Sequence, residues 1–274
     1  MKTILVPIDY SEIADNALQY AVELAGATGA SIVLLHVYHP PVPAGDVPII
    51  IVSPSEFEEI NLKNLREIEQ KIVAQSLGKL KVDSIVRAGF VGEEVVDLAN
   101  EKNVDLIVMG ITGKGQAGQV LIGSNSISVI QKSKIPVLTI PEEAKFGTIR
   151  RLVLAYDCEI EVASHSIALL KKYIQLFDAE LLVVDVVDPD KIPTREKAIA
   201  GVKFESALSE ISHKTFYPES TDVTHEINSF AESHKADWLI MLPHKHSFLQ
   251  SLFHKSNTKQ VAFHTHIPIL TLHQ

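Results

Sequence analysis

The feature that most constrains the fold of this chain is an internal repeat, in which one order of apolar segments occurs twice. Three segments recur, the first after 148 residues and the others after 132: 4–9 at 152–157, 104–109 at 236–241 and 135–138 at 267–270. Recurrence in the same order indicates a tandem duplication. The 16-residue difference between the two offsets predicts an insertion in the first copy, within the proline-rich connection 39–54. We therefore predict two domains, 1–143 and 148–274, with a boundary near 142–149.

Within each copy, segments typical of strands alternate with segments typical of helices. The nearly continuous apolar run Thr3–Ile8 suits a strand buried on both faces of a parallel sheet, and Ser11 can cap the helix that follows. A second helix is predicted to open with a capping box formed by Ser55 and Glu58. A third helix is predicted at 93–102, and the further strands of the first copy at 31–37, 81–88, 104–109 and 135–140. The pattern predicts an α/β fold of two tandem, open, mainly parallel five-stranded sheets with flanking helices.

Composition excludes several classes of protein. With 46% hydrophobic and 22% charged residues, the 274-residue chain is typical of a globular protein, and its net charge of -9 does not favour nucleic acid or an anionic membrane as partner. The first apolar stretch is too short for a signal sequence, and no stretch approaches the roughly 18 apolar residues of a membrane helix. The single cysteine, Cys158, fits a reducing compartment. We therefore expect a cytoplasmic protein.

A cluster of glycines follows the fourth strand. Five of the 13 glycines lie within fourteen residues, at 110, 113, 115, 118 and 123, and the last of them precedes Ser124 at the start of a helix. Glycine lets backbone N–H groups approach a ligand, and a helix N-terminus attracts anions, so this segment could hold a phosphate chain. Lys114 could neutralise further phosphate charge. The alternative is that the glycines only make turns and pack a helix closely on the sheet.

Two other phosphate-binding motifs can be tested on the same segment. A Walker A loop requires Ser or Thr after its lysine, and Lys114 is followed by Gly115, so that motif is excluded. The dinucleotide pattern Gly-x-Gly-x-x-Gly is present at 113–118, with Glu142 about 24 residues beyond it. That motif normally follows the first strand of its unit, whereas here it follows the fourth. This position argues against a dinucleotide-binding enzyme, which is kept as an alternative.

The chain resembles a tandem universal stress protein, with two copies of the UspA-type domain. The resemblance rests on the family's ATP-binding pattern G-x2-G-x9-G-S/T, on the strand ends that carry Asp9 and Val37, and on the repeated segments. It implies a Rossmann-like, adenine-nucleotide-binding fold in which Asp9 lies near the adenosine moiety, the Val37 backbone meets the adenine edge and the glycine loop holds the phosphates. The site residues that it implies are Pro7, Asp9, Val37, Gly110, Gly113, Lys114, Gly123, Ser124 and Asn125. The implied ligand is ATP, with the presence of Mg²⁺ left open.

The second copy departs from the glycine pattern. Three of the pattern's glycines are replaced there, by Leu242, Lys245 and Lys255, while Ser256 and Asp157 are retained. The larger side chains would enter the space of the phosphates, so we expect a closed site and a structural role for this copy. The resemblance also implies that the fifth strands, 137–140 and 269–272, lie edge to edge, so that the two copies form an intramolecular pseudo-dimer. Whether chains dimerise further is left open.

Other residues could carry chemistry. The pairs His244/His246 and His264/His266 could bind zinc or copper, although surface histidines without a metal explain them as well. Cys158 could be redox-active or a packed side chain, and Asp9 could be a base or only a helix cap. The leading hypothesis is an ATP-binding protein of stress response or regulation, with no catalytic residue assigned. The alternatives are a slow ATPase, a dinucleotide-binding enzyme and an interaction module without a ligand.

Overall fold

The computed structural model describes residues 1–39, 53–111, 123–156, 162–190, 195–242 and 266–273. Strands and helices alternate through both copies, so the α/β prediction is confirmed. The elements of the first copy are β1 (Thr3–Pro7), α1 (Glu12–Thr28), β2 (Ser31–Tyr38), α2 (Pro54–Gln75), β3 (Val82–Ala88), α3 (Val91–Glu101), β4 (Leu106–Ile111), α4 (Ser124–Lys132) and β5 (Val137–Pro141). Those of the second are β6 (Arg151–Ala155), α5 (Ser164–Phe177), β7 (Glu180–Val184), α6 (Arg195–Ala207), β8 (His213–Phe216), α7 (Val223–Ser233), β9 (Trp238–Met241) and β10 (Ile269–Thr271).

The chain divides into two compact units. Unit 1 comprises 1–110 and 124–137, and unit 2 comprises 111–123 and 138–274. In unit 1 the strands lie in the order β3-β2-β1-β4, with β1 parallel to both neighbours. In unit 2 the order is β5-β10-β9-β6-β7-β8. By sequence β5 belongs to the first copy, yet it lies beside β10 within unit 2, where the Thr139 hydroxyl donates to the Ile269 carbonyl at 3.3 Å.

The first strand and helix form as their residues predict. Ile4, Leu5 and Val6 are completely buried, as expected for a central parallel strand. The Ser11 hydroxyl caps α1 by accepting from the Ala14 N–H, and Gly29 ends the helix in the left-handed conformation at φ 71°. The predicted strand ends differ from the observed ones by at most two residues.

The capping box of α2 lies two residues earlier than predicted. The Glu56 N–H donates to the Ser53 hydroxyl at 3.2 Å, and the Ser53 N–H donates to the Glu56 carboxylate at 2.8 Å. That bond from the Ser53 backbone holds the pKa of Glu56 below its ordinary value. The prediction of Ser55 and Glu58 was wrong because the Ser-x-x-Glu spacing occurs twice here, and only the earlier box places Pro54 in the first turn, where no N–H is needed.

A pair of aspartates confirms the duplication in atomic detail. Asp105 precedes β4, and its Oδ2 accepts the backbone N–H groups of Lys2 at 2.7 Å and Thr3 at 3.2 Å. Asp237 precedes β9 and accepts from the N–H groups of residues 150 and 151 at 2.7 and 2.8 Å. Each carboxylate therefore fixes the start of its copy's first strand against its fourth.

The strand registers agree between the copies as well. Ile4 pairs with Leu106 in the first copy and Leu152 with Trp238 in the second, which fixes the structural equivalence of the two sheets. None of the helices in the described ranges combines the length and apolar composition that a bilayer crossing needs.

Candidate functional site

The candidate site of unit 1 lies at the carboxyl ends of its parallel strands. The chain runs outward from β1 to β2 and β3 and then returns to β4 on the other side of β1. Open α/β sheets bind ligands where the strand order reverses in this way. Pro7 ends β1 opposite Leu35, Asp9 follows β1, and Val37 lies near the end of β2. The structure thus brings three of the predicted site residues to one edge, beside the end of β4.

Asp9 forms a tight turn at the entrance to α1. Its Oδ1 accepts the Ser11 N–H at 3.0 Å and the Ser11 hydroxyl at 2.6 Å, while the carboxylate itself is exposed. The Ser11 hydroxyl in turn accepts from the Ala14 N–H at 3.2 Å. Ser11 is therefore the cap of α1, so the interpretation of Asp9 as the capping residue was wrong; Asp9 supports the cap through Ser11 while its carboxylate faces solvent.

Two aromatic side chains beside Asp9 had not been predicted as site residues. Tyr10 has φ 63°, and its ring centroid lies 4.8 Å from that of His36. The His36 Nδ1 lies 2.8 Å from the Ile8 carbonyl oxygen, which can only accept, so this nitrogen carries the hydrogen. Burial raises the pKa of the Tyr10 phenol, whose hydroxyl donates to the Asn61 carbonyl oxygen at 3.4 Å. The Leu-His-Val segment at the end of β2 is visible in the sequence. The positive φ of Tyr10 cannot be read from the sequence.

Gly110 is required by packing. A Cβ added at this position would lie 2.5 Å from Ile13 Cγ2 and 2.8 Å from the Ile13 carbonyl oxygen, both in the first turn of α1. The Gly110 carbonyl accepts the Ser126 hydroxyl at 3.1 Å, and Ser126 is buried. The packing interpretation of this glycine is therefore the one that its surroundings support. The same contact fixes the first turn of α4 at the end of β4.

The first turn of α4 offers hydrogen-bond donors at this edge. Gly123 precedes the helix, and the side chains of Ser124 and Asn125 are exposed. The first N–H groups of a helix lack intrahelical partners and carry partial positive charge, an arrangement suited to an anion. The first turn contains no acidic residue that would oppose a phosphate. Gly113 and Lys114, together with the dinucleotide pattern 113–118, lie outside the described residues.

Bulky side chains stand at the corresponding positions of unit 2. The equivalent of Ile8 is Tyr156, whose buried ring stacks on Phe204 of α6 with centroids 4.0 Å apart and an interplanar angle of 19°. Leu242, the residue equivalent to Gly110, is also buried. These contacts support the predicted closure of the second site. Asp157, Lys245, Lys255 and Ser256 lie outside the described residues.

Of the two predicted histidine pairs, one member lies among the described residues. His266 faces Glu143 at 3.5 Å in an exposed ion pair, while Cys158, His244, His246 and His264 lie outside the described residues. Among the residues that the structure describes, no group of three or more His, Cys, Asp or Glu side chains is arranged to hold a metal ion.

The fold and the edge define a class of protein: a duplicated, Rossmann-like α/β protein whose candidate ligand edge lies at a switch point of the first copy. The family model of the universal stress protein family matches residues 1–141 and 148–273. The chain therefore belongs to the universal stress protein family and carries two copies of its domain.

Individual relatives agree with this assignment. A universal stress protein of Methanocaldococcus jannaschii is 33% identical over 153 residues, which cover 51% of this chain and 94% of that protein. A universal stress protein of Synechocystis sp. is 27% identical over 301 residues and covers 99% of both chains. The crystal structure of a universal stress protein from Archaeoglobus fulgidus covers 98% of this chain and 97% of its own, with a TM-score of 0.74 and 19% identity. At that identity the likeness concerns the fold.

Proposed function

We propose that this universal stress protein binds ATP at one site in its first copy and acts in the cytoplasm as a regulatory protein in stress response. The observation that carries the proposal is the coincidence of the complete glycine pattern, Gly110 to Ser124, with the switch-point edge that also presents Asp9. The glycine pattern of the second copy is lost, and its edge is occupied by a leucine and by stacked aromatic rings.

The described residues fit the chemistry of a nucleotide. The exposed Asp9 carboxylate can accept hydrogen bonds from the nucleoside, whose hydroxyl and amino groups are donors. The N-terminus of α4, with Ser124 and Asn125, can donate to phosphate oxygens. In this proposal Pro7 and the Val37 backbone border the adenosine, while Gly113, Lys114 and Gly123 complete the phosphate site. A Mg²⁺ ion would be held by the phosphates and by water.

Titration calorimetry of the full chain with ATP tests the proposal. We expect a stoichiometry near one per chain, and two equivalent sites would contradict the closure of the second copy. Asp9→Asn retains an oxygen for the Ser11 bonds but removes the charge, so the Kd for ATP should rise about tenfold or more. Asp83→Asn is the matched control, because Asp83 is an exposed carboxylate within β3. Equal effects of the two variants would contradict the proposed site.

We further propose that 1–143 and 148–274 are the two domains and that they pair through β5 and β10 as an intramolecular pseudo-dimer. The adjacency of β5 and β10 in unit 2 supports this. A fragment of residues 1–143 would present the β5 edge unpaired, so it should self-associate through that edge. Analytical ultracentrifugation measures this, and a folded monomeric fragment would contradict the proposal.

A further inference from the structure

The turn between β1 and α1 contains one residue in an unfavourable backbone conformation. Tyr10 has φ 63°, a left-handed value that bulky residues seldom adopt. Such a conformation persists only where surrounding contacts hold it. At Tyr10 those contacts come from two other elements, since the ring lies 4.8 Å from the His36 ring on β2 and the hydroxyl donates to Asn61 on α2.

His36 is itself fixed to the first strand. Its Nδ1–H donates to the Ile8 carbonyl at 2.8 Å, and the Ile8 N–H donates to the Leu35 carbonyl at 2.8 Å. The Tyr10 ring therefore packs on a side chain that cannot turn away without losing a hydrogen bond. The turn is held from both sides, by the strand ends and by α2.

Tyr10 stands between Asp9 and Ser11, so its backbone conformation bears on the orientation of the Asp9 carboxylate. The left-handed turn brings both the N–H and the hydroxyl of Ser11 to Asp9 Oδ1, at 3.0 and 2.6 Å. Both bonds end on the same oxygen, and the carboxylate stays exposed. Oδ2 is then the oxygen suited to a donor from outside. A carboxylate held in one orientation before binding loses less entropy when the ligand arrives.

We infer that Tyr10, packed on His36, is a positioning residue that orients the Asp9 carboxylate toward a hydrogen-bond donor of the bound nucleoside. This inference rests on the proposed function. The donor is a ribose hydroxyl or the amino group of the base. The second copy gives an independent contrast, because its strand register places Asp185 where His36 stands and its sequence places Cys158 where Tyr10 stands. The Tyr–His pair is thus confined to the copy that keeps the complete glycine pattern.

The test compares Tyr10→Phe with Tyr10→Val in the full chain by titration calorimetry. Phenylalanine keeps the ring on His36, so the Kd for ATP should stay within about threefold. Valine removes the ring, and its β-branch disfavours the left-handed backbone, so Tyr10→Val should raise Kd about tenfold. His36→Gln keeps a donor for the Ile8 carbonyl and removes the other ring, so it should reproduce the loss if Tyr10→Val does not fold. Circular dichroism confirms that each variant is folded.

A double-mutant cycle separates positioning from general damage. If Tyr10 acts through Asp9, Tyr10→Val should weaken ATP binding little further in the Asp9→Asn background. ITP, which lacks the amino group, and 2′,3′-dideoxy-ATP, which lacks the sugar hydroxyls, identify the donor. One of these analogues should bind the wild type more weakly than ATP does, whereas that analogue and ATP should bind Tyr10→Val equally. Additive effects, or an unchanged Kd in Tyr10→Val, would overturn the inference while leaving the ATP site intact. Failure of the wild type to bind ATP would instead overturn the proposed function.

Discussion

The substitution Gly110→Ala tests whether the first glycine of the pattern serves the fold or the ligand. The added Cβ would lie 2.5 Å from Ile13 Cγ2 and 2.8 Å from the Ile13 carbonyl oxygen. The Ile13 side chain can rotate, but its carbonyl belongs to the first turn of α1 and moves only with the helix. Overpacking of this kind costs about 1–3 kcal/mol, and the backbone contact suggests about 2 kcal/mol here. With an m-value of about 2 kcal/mol/M, the urea midpoint should fall by about 1 M.

Urea denaturation followed by circular dichroism measures this loss, and Gly147→Ala is the matched control. A Cβ at Gly147 meets no atom within 4 Å, so its effect should stay within about 0.5 kcal/mol. Adding Ile13→Ala to Gly110→Ala should restore only part of the stability, because the carbonyl contact remains. If Gly110→Ala is as stable as the wild type yet no longer binds ATP, the packing argument is refuted and the glycine serves the ligand.

Three further predictions concern stability, pH and turnover. Asp237→Ala leaves two backbone N–H groups without their carboxylate, so it should lower the free energy of unfolding, measured by urea denaturation, by about 2 kcal/mol. The control is Asp222→Ala, which removes only a helix cap. A loss no larger than that of the control would contradict the prediction. Burial lowers the pKa of His213, but its bonds to the Ile211 carbonyl and the Glu205 carboxylate outweigh burial, so the net pKa is raised. The stabilisation of the fold by protonated His213 is then complete below about pH 6.5 and is lost as the pH rises through the folded pKa. The difference in Tm between the wild type and His213→Gln should therefore shrink as the pH rises. A Tm difference that does not change with pH would contradict this prediction. Phosphate release from ATP and Mg²⁺ should lie far below the ~1–10³ s⁻¹ of ordinary enzymes, with Gly113→Val as the control for contaminants. Sustained turnover near one per second that this variant abolishes would favour an ATPase.

Much of the framework could be predicted from local sequence patterns. The buried strands are visible as apolar runs, and the Ser11 cap depends on residues that are neighbours in sequence. The repeat was visible because Asp105 and Asp237 recur in matching apolar segments, although only the structure shows that each carboxylate binds the backbone of its first strand. Patterns of this kind are local, so they can be recognised without knowledge of distant contacts.

The features that escaped prediction depend on distant contacts or on backbone angles. Glycine is required at position 110 because Ile13, almost a hundred residues earlier in the sequence, lies against it. No spacing rule predicts this contact. The Tyr10 turn depends on a φ value and on His36 and Asn61, from two other elements. The capping box of α2 was misplaced for a different reason, since two overlapping patterns fit the sequence and Pro54 decides between them.

The two copies show that the residues that build this sheet can be separated from the residues at its carboxyl edge. Both keep the aspartate that joins the first and fourth strands, and both keep the same strand register. They differ at the carboxyl edge, where Leu242 replaces Gly110, and where Tyr156 replaces Ile8 and stacks on the buried Phe204. Burying rings stabilises that edge without any ligand, whereas the first copy keeps Asp9 exposed. Under the proposed function, a few residues at the strand ends therefore open or close the site, while the sheet that carries them stays the same.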